Sequence, residues 1–473
     1  MPIAAILVLL SLLAAPLAGA GTYSPPGLYD PLVYKLDNGL QVVLKPRPDT
    51  RSVSIRLVVG LGTRHLSCEK NELPHLIEHL LFMGTENYTE TELEDLIESN
   101  GGGWNAVTDL FSTTYAIDIH SDRAGVAVDT LYEMFTGTTF DETLFANAQN
   151  VVAIEAGGSV SLTGQLAQRY GLLQSGFEKA MQRLNILCRQ EGDPHAVSVE
   201  EALEAFTNHY TPDNMTFIAA GNLEPEEFGG WIEATFGKLA AGSGTRPQAP
   251  PLNSLEGPVH VSSSLLPIFG SAIETSLYWQ APTEDHADYW ALWLAAEYLD
   301  RELYHTLRTE RAESYSPSAG YINYGEWALF ELYADGTVGS EQALEQGMLD
   351  SVERVATTQV DVAAFESVKM AILLSSASGL ESNASFAEYY VDRLPQLKSF
   401  GRYLDEESDI ENVTPQAMQA AMKRWFAADS RLTVHEVPTL QLSTLMWLIA
   451  GMLSLLLGGA YAGYRRFAKG SCT

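Results

Sequence analysis

The sequence predicts an α+β fold of two similar domains, each a mainly antiparallel sheet packed with helices. Three observations lead there. At 473 residues the chain is longer than one hydrophobic core usually serves. Its patterns run twice through the same order: strands, helices, strands, helices and a closing strand. Between the two rounds, the stretch from Ala241 to Pro251 has the Gly, Pro and small polar content of a linker.

The first domain, residues 21–240, opens on a hairpin. Leu32 to Leu36 alternates, Asp37-Asn38-Gly39 supplies a turn, and Leu40 to Leu44 returns. Ser52 to Val59 reads as a third strand. A helix follows, then a second from about Thr89 to Ser99, whose Thr89-Glu-Thr-Glu92 start fits a capping box. Gly101-Gly102-Gly103 ends it. Trp104 to His120 has the β-branched and aromatic content of one long strand. Helical patterns fill most of the stretch from about Asp122 to Ala205, Met215 to Ala220 is a short buried strand, and a helix begins near Glu224. After a linker over 241–258, the second domain covers residues 259–437. Strand signals at Ala272 to Tyr278 precede a helical pattern from His286 to Arg308. Strands near Ser314 to Ile322 and Trp327 to Ala334 lead into further helices, and Arg431 to Val434 closes the half.

Two apolar segments bear on topology. Ile3 to Leu17 runs into Ala18-Gly19-Ala20, the pattern of a secretory signal peptide over residues 1–20. Leu442 to Tyr464 is 23 residues without a charge, long enough to span a bilayer. Arg465, Arg466 and Lys469 follow, so the tail 465–473 is expected to stay cytoplasmic and the bulk of the chain to lie across the membrane. The formal charge of −32 excludes a nucleic-acid partner, since phosphate binding needs an excess of Lys and Arg. Three cysteines are too few for a disulfide framework. Cys68 and Cys188 could pair in an oxidising compartment, which spacing alone does not decide, and Cys472 falls in the tail.

The chemistry gathers in Asn71-Glu-Leu-Pro-His75-Leu-Ile-Glu78-His79-Leu-Leu-Phe-Met83. Asn71 can cap a helix, and Pro74 is tolerated in a first turn. On such a helix His75 and His79 lie one turn apart on one face, with Glu78 bordering them. Two imidazoles can hold zinc while the carboxylate takes a proton from an activated water. With ten histidines in the chain, this spacing beside a Glu arises by chance about once in a hundred or less. Two surface histidines on an amphipathic helix are the bland alternative, against which the apolar surroundings speak, because burying both without partners is costly. A third protein ligand is expected, and among so many carboxylates residue chemistry does not choose it.

His75-x-x-Glu78-His79 resembles the inverted zinc motif of the pitrilysin and insulinase family, which includes the mitochondrial processing peptidases. The resemblance spans Tyr34 to Val434 and implies Zn2+ as cofactor, with Glu155, 76 residues after His79, as third ligand and Glu78 as general base. Gly102-Gly103-Trp104-Asn105-Ala106 resembles the family's entry to an edge strand, which implies that Asn105 and Ala106 contact the backbone of a peptide substrate. Leu307-Arg308 to Tyr315-Ser316 resembles the segment whose Arg and Tyr reach the zinc from the opposite domain, which implies that Arg308 and Tyr315 stabilise the oxyanion. A homodimer, or pairing with a related subunit, is implied as well. Two positions depart from the family pattern: Pro74 replaces the usual small residue before the first His, and Ala148 stands where many members carry a second Glu. Losing that carboxylate is expected to weaken metal affinity or activity.

The reading is a zinc endopeptidase for unstructured peptides, anchored in a bacterial inner membrane with its catalytic part periplasmic. The competing reading is a weakly active or inactive subunit that binds peptides or a partner peptidase. A metal-dependent hydrolase of a non-peptide substrate stands third.

Overall fold

A left-handed glycine joins the first two strands. In the computed structural model, β1 (Leu32–Lys35) and β2 (Gln41–Pro46) pair antiparallel across a turn in which Gly39 has φ 99°, a conformation that favours glycine. The described residues are 30–155, 174–189, 192–243, 246–253, 259–325, 327–426 and 430–470; the expected signal peptide and Cys472 lie outside them.

The further strands are β3 (Ser52–Val59), β4 (Gly103–Thr108), β5 (Thr113–His120), β6 (Met215–Gly221), β7 (Val259–Gly270), β8 (Ala272–Ala281), β9 (Ser318–Asn323), β10 (Ala328–Thr337) and β11 (Arg431–Gln441). They form a six-stranded sheet, β1-β2-β6-β3-β5-β4, and a five-stranded one, β7-β11-β8-β10-β9. The two share one plan. In each, the last strand inserts beside the first of the motif in parallel, β6 on β2 and β11 on β7. Every other pairing is antiparallel. Strand for strand, β2-β6-β3-β5-β4 corresponds to β7-β11-β8-β10-β9, which gives the twice-run order of elements a topological basis.

The first half supplies α1 (Leu73–Phe82), α2 (Glu90–Glu98), α3 (Ala124–Gly137), α4 (Glu142–Glu155), α5 (Gly176–Arg183), α6 (Val199–His209) and α7 (Pro225–Ala234). The second supplies α8 (Tyr289–Leu303), α9 (Glu341–Thr357), α10 (Val362–Gly379), α11 (Asn383–Asp392), α12 (Leu394–Phe400), α13 (Glu406–Asn412) and α14 (Pro415–Trp425). The long α15 (Leu442–Gly470) follows β11. Among the described residues it is the one helix long and apolar enough to cross a membrane, with mean hydropathy 1.8 over Thr444–Ala462 and none of that stretch buried.

The halves exchange helices. β3 is buried at every position except Ser52, so both of its faces are covered. One face meets the first half's own helices. The other lies under α11 of the second half, where Phe386, Ala387 and Tyr390 pack on Val43, Val58, Ile218 and Ala220. In return, α5 of the first half sets Ala180 and Met181 against Tyr278, Leu329, Leu432 and Val434 of the second sheet. Each large apolar side chain buried this way contributes about 1.5–3 kcal/mol. Polar ties fix the register: Arg56 Nε donates to Glu388 Oε1 at 2.6 Å, and the Gly176 amide donates to Glu436 Oε2 at 2.5 Å.

Several expectations need correction. Trp104 to His120 is two strands, because Asp109 N donates to Ser112 O at 2.8 Å and turns the chain back. Gly62 lies so close to this turn that a Cβ there would sit 2.4 Å from the Asp109 carbonyl oxygen. The strand expected from Ser314 starts at Ser318, since Asp335 Oδ1 captures Ser314 Oγ and the amides of Tyr315 and Ser316 in a turn. The helix expected over His286 to Arg308 is α8 followed by a π-helical turn, Tyr304–Glu310. β7 went unpredicted. Asn71 does not cap α1; its Oδ1 accepts from the Gly192 amide at 2.8 Å, and Glu72 occupies the cap position.

Candidate metal centre

α1 separates its faces cleanly. Leu76, Ile77, Leu80 and Leu81 are fully buried against the first sheet, which turns His75 and His79 to the opposite side, half-buried. Their ring centroids lie 4.8 Å apart. α4 crosses α1 through its own buried stripe of Phe145, Ala148 and Val152. Continuing that stripe by one turn reaches Glu155, so helix periodicity delivers the carboxylate to the histidines.

The three residues converge. Glu155 Oε2 lies 3.3 Å from His75 Nε2 and 3.3 Å from His79 Nε2, and the two Nε2 atoms are 3.1 Å apart. Ligands about 2.0–2.1 Å from a tetrahedral zinc lie roughly 3.3 Å from one another, so the spacing fits the ion. The donor set, two imidazole nitrogens and one carboxylate oxygen, also matches a catalytic site that keeps its fourth position open. Among the described residues this is the one such cluster. In the second half α8 occupies the place of α1, between β8 and β9, and carries neither histidine.

Around the cluster two further carboxylates are held. Glu78 is 9% exposed, and the Thr108 hydroxyl donates to its Oε2 at 2.5 Å. Thr108 itself touches Thr113 Oγ1 at 3.2 Å. On the other side, Glu72 Oε2 lies 3.2 Å from His75 Nδ1 and is the first cause holding that imidazole above its ordinary titration range. Behind Glu78, Tyr115 and Tyr210 meet hydroxyl to hydroxyl at 3.1 Å, and burial pushes both phenols far up. Neither Glu72 nor Thr108 was given a role from sequence. The three-residue step from Glu72 to His75 on one helix was a usable signal. Thr108 needed the fold, because only the packing of β4 on α1 brings it to Glu78.

The remaining expected residues take separate places. β4 is the outermost strand of its sheet. Trp104, Ala106 and Thr108 are half-buried while Asn105 is exposed on the other face. Ala148 is fully buried in the core. Arg308 Nη1 donates to the Tyr315 carbonyl at 2.6 Å, with the guanidinium carbon 4.4 Å from the centre of the Tyr315 ring. That ring is 70% exposed. No hydrogen bond or ion pair joins Arg308 or Tyr315 to His75, Glu78, His79 or Glu155 among the described residues.

Residues 41–188 match the family described as Insulinase (Peptidase family M16), and residues 196–372 match its companion, the Peptidase M16 inactive domain. The chain belongs to the insulinase family. Zn2+ is the cofactor that goes with this membership. The insulinase-family relatives include the uncharacterized zinc protease YmxG of Bacillus subtilis, 30% identical over 224 residues, 44% of this chain and 50% of that protein. The mitochondrial-processing peptidase subunit beta of Blastocladiella emersonii is 28% identical over 212 residues, 45% of each chain. The match thus spans about half the length of these relatives. The fold is shared with a protease from Helicobacter pylori, at TM-score 0.71 and 19% identity over 87% of this chain and 100% of that one. It is shared too with the periplasmic protease PqqL from Escherichia coli, at TM-score 0.69 and 15% identity over 86% of this chain and 47% of that one. In this insulinase-family chain the inactive-domain match begins at residue 196, after all three residues of the metal cluster.

Proposed function

We propose that the protein is a zinc endopeptidase acting on unstructured peptides outside the cytoplasm. The observation that carries this is the convergence of His75, His79 and Glu155 at ligand spacing, with the Glu78 carboxylate held one helical turn from the first histidine. When bound there, zinc supplies a Lewis acid that acidifies a water and polarises the scissile carbonyl. Glu78 takes the proton of the attacking water and returns it to the leaving amine. Thr108 orients Glu78 for that transfer.

The substrate lies extended along the outer edge of β4, adding as a further strand beside Asn105 and Ala106. Main-chain pairing of this kind asks little of substrate sequence but requires an unfolded chain. Arg308 and Tyr315 donate to the oxyanion. The exposure of Tyr315, and the absence among the described residues of any bond from Arg308 or Tyr315 to the metal cluster of their own chain, support their delivery from the second half of a partner copy in a homodimer. α15 anchors the protein in the membrane, with the residues before it on the outer side, and the likeness to a periplasmic protease supports a periplasmic catalytic part.

The test is hydrolysis of a pool of unstructured peptides by the full chain in detergent, beside its Glu78→Gln variant and a chelator-treated sample. Cleavage by the parent alone, restored to the chelated sample by zinc, is expected. Folded, zinc-loaded parent that cleaves nothing would favour the second reading, a peptide-binding or partner-binding subunit, which the buried Ala148 supports.

A further inference from the structure

Glu72 holds the first residue of the metal cluster from behind. We infer that it is a positioning residue, fixing the tautomer and ring direction of His75 so that Nε2 faces the metal. This rests on the zinc reading above. An imidazole that ligates through Nε2 carries its proton on Nδ1, and an ionised carboxylate can only accept. His75 presents Nε2 to Glu155 and His79, and Nδ1 to Glu72 Oε2 at 3.2 Å. Nε2 thus faces the other two ligands, and Nδ1 faces a group that can only accept. The His79 ring has no carboxylate on its other nitrogen among the described residues, so the support falls on one ligand.

The backbone around Glu72 is arranged for this task. Glu72 sits at the cap position of α1 with φ −76° and ψ −7°, yet its side chain caps nothing. It turns instead along the helix to His75 and is only 15% exposed. The residues leading to it are tied down one after another. Cys68 is joined to Cys188, Lys70 Nζ lies 2.7 Å from Glu201 Oε2, and Asn71 Oδ1 accepts from Gly192. A side chain launched from so fixed a base loses little freedom on reaching His75. α4 offers no carboxylate for this role, since Ala148 and Val152 face the core and Glu155 is itself a ligand. Supports of this kind orient a ligating histidine and raise its basicity.

The experiment measures zinc affinity by chelator competition, and kcat and KM on an unstructured peptide, for the full chain in detergent. Parent, Glu72→Ala, Glu72→Gln and His75→Ala are compared. Glu72→Ala should weaken zinc binding about 10- to 100-fold and lower kcat with little change in KM. Glu72→Gln, whose amide oxygen still accepts from Nδ1–H, should recover most of that loss. If Glu72→Ala does not fold, Glu72→Met keeps the size, lacks the acceptor and should show the same loss. Parent-like zinc affinity in Glu72→Ala or Glu72→Met would overturn the positioning role while leaving the metal site standing. So would a lower melting temperature without a change in zinc affinity, the mark of a helix-end charge alone. A parent that binds zinc no better than His75→Ala would sink the zinc reading, and this inference with it.

Discussion

The Thr108 hydroxyl donates to Glu78 Oε2 at 2.5 Å, tying the end of the outermost strand to the carboxylate beside the metal cluster. The strand proposed to receive the peptide therefore also sets the group proposed to move the proton. Replacing Thr108 with Val removes the donor and nearly preserves the volume. A hydrogen bond to a charged group contributes about 1.5–3 kcal/mol, so kcat should fall roughly 10- to 100-fold with zinc content unchanged. Parent-like kcat would mean that Glu78 finds its orientation elsewhere.

Cys68 and Cys188 form a disulfide across 120 residues of sequence. It pins the approach to α1 to the segment that follows α5. In the chain-entropy picture a loop of that length stabilises by about 5 kcal/mol. Cys68→Ser, or reduction of the parent, should lower the denaturant midpoint and speed loss of zinc to a chelator, with both effects absent when the bond is intact.

A homodimer with Arg308 and Tyr315 delivered from the partner copy makes a mixing prediction. Glu78→Gln and Arg308→Ala should each be nearly inactive alone. Subunit exchange between them creates one complete site in each mixed dimer, so activity should return to about a quarter of the parent's. A mixture that stays inactive after demonstrated exchange would place the oxyanion donors elsewhere.

Glu284 gives a pH signature unrelated to catalysis. It is 7% exposed; Oε1 accepts from Asn323 Nδ2 at 2.8 Å, while Oε2 makes no hydrogen bond among the described residues. Burial pushes its carboxyl up to about 7. The folded state therefore holds a proton that the unfolded chain releases near its ordinary value of 4.5. Its contribution to stability is present below that value and is lost as pH rises through about 7. Glu284→Gln should raise the melting temperature near pH 8, by the equivalent of about 1–3 kcal/mol, and change it little near pH 4. An equal shift at both pH values would show that packing rather than ionisation was changed.

Local chemistry was legible in the sequence, and pairing across the chain was not. The Thr89-Glu-Thr-Glu92 start is a capping box in the fold as well, with Thr89 accepting from the Glu92 amide, because capping needs only four consecutive residues. The histidine pair was likewise visible from helical spacing. Glu155 was reached through family resemblance, and the physical reason for its place, the stripe of Phe145, Ala148 and Val152 on α1, belongs to packing. Asn71 misled because its side chain found a long-range partner in Gly192 instead of its own helix end. The turn inside Trp104 to His120 escaped because Asp109 to Ser112 holds no glycine or proline, and its support comes from the Asp109 carbonyl accepting from Thr63. The helix exchange left no local trace at all.

That exchange has a consequence for how the protein is made. With export coupled to synthesis, the first sheet is complete once β6 has crossed the membrane, yet the helix that covers its back, α11, begins 162 residues further along. At ordinary elongation rates of about 5–20 residues per second, Val43, Val58, Ile218 and Ala220 wait roughly 8–30 s for their cover. During that interval the nascent chain carries a naked apolar wall, which a chaperone must shield or a second nascent chain could seize.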